Sequence, residues 1–359
     1  MNNHQTVPGK LYLAGEYAAL HPGSPAVIMS VNRYLTATFQ HTTHHQGLTF
    51  TSSQFPNQHS TLISEQSFTS LNLYDPFIFA QSAALCALHY CYEHHATATP
   101  LHGDISITST LNNTNGTKLG LGSSAAVTVA IIKVILHEYG YPVDNSLPSR
   151  LRLFKLAALA HYRVQQNGSC GDIAACTGEG LIEYHTFDSE WLKDQLKHFS
   201  LSHIIDDLQW PGLSIRCLPP VEDLRIVPAW TGKPASTSAL IRQCQPVDPS
   251  LMDDFYRHTA LCVAQIVDGF YKNDKESIYT GIISNREILE SFARNTGIML
   301  ETPLMQKALH ISDDYQIAAK TSGAGGGDCI IAVNESSDQL NQMIQAWKKI
   351  SVIPLNEII

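Results

Sequence analysis

The sequence predicts an α+β protein of two lobes, and three observations carry that prediction. Short apolar strands alternate with helices over the first half of the chain. Helical periodicity dominates from about residue 248 onward. Two glycine-rich tracts, 120–122 and 323–327, interrupt the periodic segments where loops are expected. With 359 residues, 44% of them apolar and 15% charged, the chain can bury large cores. The lobes are expected to span 1–200 and 201–359, with the handover inside the polar, proline-containing stretch from 188 to 220.

The elements follow in order. Residues 10–14, 26–30, 34–39 and 105–109 read as strands, rich in β-branched and aromatic side chains. A helix over 77–94 starts after Asp75-Pro76, a second over 124–139 follows the first glycine tract, and a third over 151–166 places Leu153, Leu156, Ala157 and Ala160 on one face. A short helix begins at Ile173. The later part reads as helices over 252–271, 275–295 and 302–320, a strand over 329–333 and a last helix over 338–350. There is no internal repeat.

Charge and cysteine usage narrow the partners. A formal charge of −9 argues against nucleic acid or an anionic membrane, both of which select a basic face. The eight cysteines show no CxxC pair, so a reducing cytoplasm is expected. The first residues lack the basic start and apolar core of a signal peptide. The longest apolar helix is interrupted by Thr128 and Lys133 and is too short to span a bilayer. His41, His44 and His45, and His89, His94 and His95, form two clusters without i, i+4 spacing on one helix face, and they read as solvated surface.

The chemistry begins at Lys118-Leu-Gly-Leu-Gly-Ser-Ser-Ala-Ala126, where a glycine turn opens an apolar helix. The first N–H groups of a helix have no partner within it, and the summed peptide dipole puts roughly half a positive charge there. That suits a phosphate. Gly120 and Gly122 let backbone approach a ligand, while Ser123 and Ser124 add hydroxyls able to reach phosphate or magnesium. The segment lacks the lysine of a Walker A loop and the third glycine of the dinucleotide motif. The second tract, with four glycines in the five residues 323–327, contributes almost no side chains, so it must come close to a ligand or to another backbone.

Three ordered segments, Gly9-Lys-Leu-Tyr-Leu-Ala-Gly-Glu-Tyr17, Gly120-Leu-Gly-Ser-Ser-Ala-Ala126 and Ser322-Gly-Ala-Gly-Gly-Gly-Asp328, resemble the three motifs of the GHMP kinases. Gly168-Ser-Cys-Gly-Asp172 and Trp230-Thr-Gly-Lys-Pro-Ala-Ser-Thr-Ser238 are similar to segments of the bacterial phosphomevalonate kinase branch. The resemblance covers most of the chain. It implies a two-domain GHMP fold, with a mixed N-terminal domain holding the phosphate loop and a helix-rich C-terminal domain. It also implies ATP as co-substrate, magnesium, phosphomevalonate as acceptor, and a monomer or homodimer.

The resemblance further implies roles for residues. Gly120, Leu121, Gly122, Ser123, Ser124 and Ala125 would bind ATP, and Ser124 and Asp172 would hold the metal. Lys10, Tyr17, Lys118, Ser169, Asp172, Ser238 and Ala324 match positions that contact the acceptor, with Lys10 and Asp172 catalytic. Glu16 reads as the partner of a lysine and is left out of the site. Asp172 is either a metal ligand or an organiser of Lys10. As general base on an alcohol it would instead serve a mevalonate kinase, the rival reading; a silent metabolite-binding relative is a third. The chain departs from mevalonate kinases in having no Asp or Glu between Arg150 and Cys170, and from many relatives in having Gly116 where they have proline.

Elementary electrostatics supports a need for cations. Each pair of unit charges about 4 Å apart repels by roughly 4 kcal/mol at an effective dielectric near 20, so phosphate-to-phosphate transfer needs lysines and a divalent ion. Lys10 and Lys118 are the lysines in position, and Lys118 favours a phosphorylated acceptor. Such an acceptor is already anionic near neutral pH, with a second pKa near 6.

Overall fold

The computed structural model describes residues 3–62, 71–94, 99–113, 116–178, 180–235, 240, 244–245 and 247–355. Its first sheet has seven strands: β1 (Asn3–Ala14), β2 (Pro25–His41), β3 (Leu48–Ser52), β4 (His59–Leu62), β5 (Gly103–Ser109), β6 (Leu181–His185) and β7 (Ser214–Cys217). They run in the order β4-β3-β5-β2-β6-β7, with β1 paired to β2 off that path. All pairs are antiparallel except β3 with β5. The two strands expected over 26–30 and 34–39 are one continuous strand, β2. It serves both neighbours, β6 along Pro25 to Met29 and β5 along Leu35 to His41.

Three long helices belong to this lobe: α1 (Ile78–His94), α2 (Ser123–Glu138) and α3 (Leu147–Gln165). Their alanines, such as Ala83, Ala84, Ala126, Ala130, Ala157 and Ala158, are fully buried and let helix axes approach closely. Buried polar groups in this layer find partners: Ser82 Oγ donates to the Ala160 carbonyl at 2.7 Å, and Lys155 Nζ donates to the carbonyls of Ile205 and Leu208 at 2.7 and 2.8 Å. The shorter helices are α4 (Gly171–Cys176), α5 (Ser189–Gln195) and α6 (Leu201–Asp206).

The second sheet is β11-β8-β10-β9, built from β8 (Arg225–Trp230), β9 (Ala318–Ser322), β10 (Cys329–Asn334) and β11 (Ile353–Pro354). Its helices are α7 (Pro249–Lys272), α8 (Lys275–Thr296), α9 (Pro303–Asp314) and α10 (Ser337–Lys349). Met305, Leu309, Met343 and Trp347 pack with Val227, Ile330 and Ala332 as a separate core, and the Trp347 indole donates to the Ala308 carbonyl at 2.9 Å. A third cluster, Phe255, Leu289 and Phe292 with Ala18, ties the α7–α8 hairpin to the turn after β1.

The helix expected over 302–320 stops at Asp314, and 318–322 is strand β9. Gln316 enters the left-handed region at φ 57°, and the Ile317 N–H turns back to the Ser312 carbonyl at 2.9 Å. Ala318-Ala-Lys-Thr-Ser322 looks helical by propensity, but pairing with β10 and burial along its whole length outweigh that preference. The second glycine tract is therefore a turn between antiparallel strands.

Candidate active site

A cavity of about 680 Å³ is lined from both lobes, and three sequence segments build its walls. The first wall is β1. Its pleat sends Leu11 and Leu13 into the core and puts Lys10 and Tyr12 on the opposite face. The Lys10 N–H donates to the Leu121 carbonyl at 2.9 Å, and Nζ reaches the Gly120 carbonyl at 3.4 Å while lying 5.6 Å from the Tyr12 ring centre. One strand thus holds both the lysine and the phosphate turn.

Tyr12 Oη and Ser169 Oγ share a hydrogen bond at 3.0 Å, and the Tyr184 hydroxyl donates to the Ser169 carbonyl at 2.5 Å. Burial raises the Tyr12 phenol above its ordinary range, and the Asp172 charge adds to this, so Tyr12 stays protonated. Cys170 at φ 55° swings the chain into α4. Gly171 follows because a Cβ there would lie 2.3 Å from Tyr12 Oη. Asp172 then sits in the first turn of α4, with Oδ1 accepting from the Ile173 N–H at 3.0 Å. Among the described residues no ion pair within 4.0 Å joins Asp172 to Lys10, although the charges of both act on buried Cys176.

The second wall is 118–124. Gly120 and Gly122 adopt φ 76° and 78°, and Gly122 caps α2 with no side-chain bond to the first-turn amides. That end of α2 keeps its amides for an anion. Leu121 through Ser124 line the cavity, whereas Ala125 is fully buried in the core and does not. Ser124 Oγ lies 3.2 Å from Nε2 of His161, a buried ring on α3 whose pKa is depressed by burial, against a pull from Asp172. Lys118 is exposed at the mouth, in a single bridge with Asn112.

The third wall is the turn after β9. The Tyr17 hydroxyl donates to the Ala324 carbonyl at 2.6 Å, and Ser322 Oγ donates to the Tyr12 carbonyl at 2.8 Å. Glu16 pairs with a lysine as read from sequence: Lys320 Nζ is 2.5 Å from Glu16 Oε1, both groups being buried. Asp328 closes the ring. Its Oδ1 accepts the Ala235 N–H at 3.0 Å, its carbonyl accepts both the N–H and hydroxyl of Thr231, and its carboxyl is pushed up by burial despite Lys10 and Lys118 nearby.

Lys10, Tyr17, Lys118, Ser169, Asp172 and Ala324 thus share one cavity with the glycine turn. Ser238 lies outside the described residues. Sequence reasoning missed Tyr12, His161 and Asp328, and also the apolar end of the cavity, where Phe55 and Phe77 meet edge to face at 5.9 Å. Asp328 was visible inside a quoted motif; His161 stands on a helix read only as apolar. His41, His45 and His94 pair with Glu138, Asp104 and Asp206, and His95 lies outside the described residues.

As oxygen donors for a hard divalent ion, the Ser124 hydroxyl and the Asp172 carboxylate both face the cavity and both act on His161. No group of three or more His, Cys, Asp or Glu side chains able to hold a metal occurs among the described residues. An ion here would take the rest of its shell from nucleotide and water.

The description GHMP kinases N terminal domain matches residues 82–180, and GHMP kinases C terminal matches 280–351. A phosphomevalonate kinase of Streptomyces is 30% identical over 97% of this chain and 94% of its own length. The chain belongs to the GHMP kinases. Among solved structures, a Listeria innocua protein superposes on this GHMP kinase with a TM-score of 0.88 at 32% identity, covering 99% of this chain and 97% of that one. The Streptococcus pneumoniae phosphomevalonate kinase, solved with phosphomevalonate and AMPPNP, superposes with a TM-score of 0.83 at 25% identity, covering 99% of each chain.

Proposed function

We propose that this chain transfers the γ-phosphoryl group of ATP to the phosphate of phosphomevalonate, giving diphosphomevalonate and ADP in the mevalonate route to isoprenoids. The observation that carries this reading is the meeting of two ammonium groups, Lys10 and Lys118, with the N-terminus of α2 in one cavity. An acceptor phosphate oxygen attacks the γ-phosphorus in line, and the bond to the β-phosphate oxygen breaks. No proton has to leave the acceptor, so the protein's task is alignment and charge.

Division of labour follows from the walls. Amides of 122–124 receive the nucleotide phosphates, and the apolar end with Phe55, Phe77 and Leu35 offers the base a stacking surface. Lys10 bridges transferred and acceptor phosphates, Lys118 neutralises the acceptor, and Ser169, Tyr17 and the 323–324 backbone orient its organic end. Ser238, which follows the 231–235 segment held by Asp328, is assigned to the same task.

Ser124 and Asp172, together with nucleotide oxygens, would hold a magnesium ion, which would supply the remaining positive charge. The cavity's own lining cannot, because Lys10 and Lys118 share it with the carboxylates of Asp172 and Asp328. We place the lobe handover between Cys217 and Arg225, where the chain leaves the first sheet for the second; this is later than the 200/201 division expected from sequence, because β7 still pairs with β6. All eight cysteines are free thiols and no helix among the described residues is long and apolar enough to cross a membrane, which supports a reducing, cytoplasmic setting.

The test is ADP release with mevalonate and phosphomevalonate offered side by side. The expected result is turnover with phosphomevalonate alone. Preference for mevalonate would make Asp172 a general base and the chain a mevalonate kinase; binding of either with no turnover would make it a silent relative.

A further inference from the structure

We propose that His161 is a positioning residue for Ser124: its Nε2 accepts the Ser124 hydroxyl proton and so turns the oxygen lone pairs into the cavity, toward the metal-bound nucleotide. The proposal rests on the kinase reading above and adds a residue to it.

A serine hydroxyl has one proton and two lone pairs. If the oxygen is to ligate a cation, the proton must point at another acceptor. His161 Nε2, 3.2 Å from Ser124 Oγ, is the side-chain atom the structure puts in that place. Thr128 does not compete, since its hydroxyl donates to the Ser124 main-chain carbonyl at 2.8 Å.

The ring is held for the task. His161 is only 2% exposed and stacks on Phe79 at 4.9 Å with planes 28° apart, which fixes the direction of Nε2. Helix α3 carries no carboxylate over Leu147–Gln165, and of its cavity-lining side chains, His161 and Gln165, His161 is the one within hydrogen-bond distance of Ser124. Partners behind a metal ligand orient it, and their loss typically lowers metal affinity by roughly 10–100-fold.

The experiment measures ADP binding by calorimetry in Mn2+ and again in EDTA, for the wild type, His161→Leu and His161→Gln, alongside the ¹⁵N shifts of the His161 ring in the wild type. The proposal expects His161→Leu to weaken Mn2+–ADP binding by roughly 10–100-fold and to leave metal-free ADP binding unchanged. His161→Gln, whose amide oxygen restores an acceptor, should stay within a few-fold of wild type, and the wild-type ring should show Nε2 without a proton. Equal losses with and without metal, no loss at all, or a protonated Nε2 in the Mg2+–ADP complex would overturn it. A wild type that binds no ADP in either condition would remove the kinase reading as well, whereas a leucine variant equal to an ADP-binding wild type removes this proposal alone.

Discussion

The two glycine-rich turns look alike in sequence and answer to different constraints. In the turn at 120–122, what a side chain would strike is charged lining of the cavity: a Cβ on Gly120 would lie 2.4 Å from Asp328 Cγ, and one on Gly122 would lie 3.0 Å from Lys10 Cγ. In the turn at 323–327 the obstacles are mainly the protein's own frame. A Cβ on Gly325 would meet the Leu300 carbonyl oxygen at 2.3 Å, and one on Gly327 would meet that of Lys233 at 2.6 Å. The first turn is kept bare so that charged side chains can lie over it. The second is kept bare so that a tight hairpin can be wedged between 233 and 300, leaving Gly323 and Ala324 free to face the cavity.

Alanine substitutions test that contrast. Gly325→Ala meets immovable backbone and also has φ +73°, so urea unfolding should show the largest loss, about 3 kcal/mol. Gly122→Ala meets only the flexible stem of Lys10, and its cost in stability should be the left-handed strain alone, about 1–2 kcal/mol. Turnover should nevertheless fall by roughly 100-fold as Lys10 is displaced. The comparison breaks if Gly122→Ala unfolds the protein as badly as Gly325→Ala while the folded fraction retains full turnover.

Asp328 lies where the two turns meet, and it offers the smallest and most specific test. Burial raises its carboxyl pKa, so the folded state holds that proton more tightly than the unfolded state does. Its contribution to stability is therefore complete at low pH and is lost as pH rises through the raised value. Asp328→Asn keeps an oxygen for the Ala235 N–H and removes the charge. In ligand-free thermal melts between about pH 4 and 7 the variant should gain on wild type as pH rises. A variant that falls behind with rising pH would mean that Lys10 and Lys118 outweigh desolvation.

The parts of the site that the sequence displayed were those where residue type and spacing carry the physics: glycines before a helix, lysines beside them, an aspartate opening α4. Helix α2 was legible from its run of apolar residues after that turn, with boundaries one residue away from those observed. Strand β9 was not, because Ala318-Ala-Lys320 prefers helix and only β10 makes it a strand. Lys320 shows why: a lysine in a buried strand is unreadable until its partner Glu16, more than 300 residues distant in the chain, is brought against it. His161 was hidden for the same reason, since its meaning lies in Ser124 and Phe79 on other helices or loops.

The central claim is that Lys118 exists to receive an acceptor that is itself a phosphate. Steady-state kinetics of Lys118→Ala tests it most directly, with phosphomevalonate and ATP varied in turn. Removing one charged contact should lower kcat/KM for phosphomevalonate by roughly 10–100-fold and leave the KM for ATP within about twofold. Equal losses toward both substrates would contradict the claim.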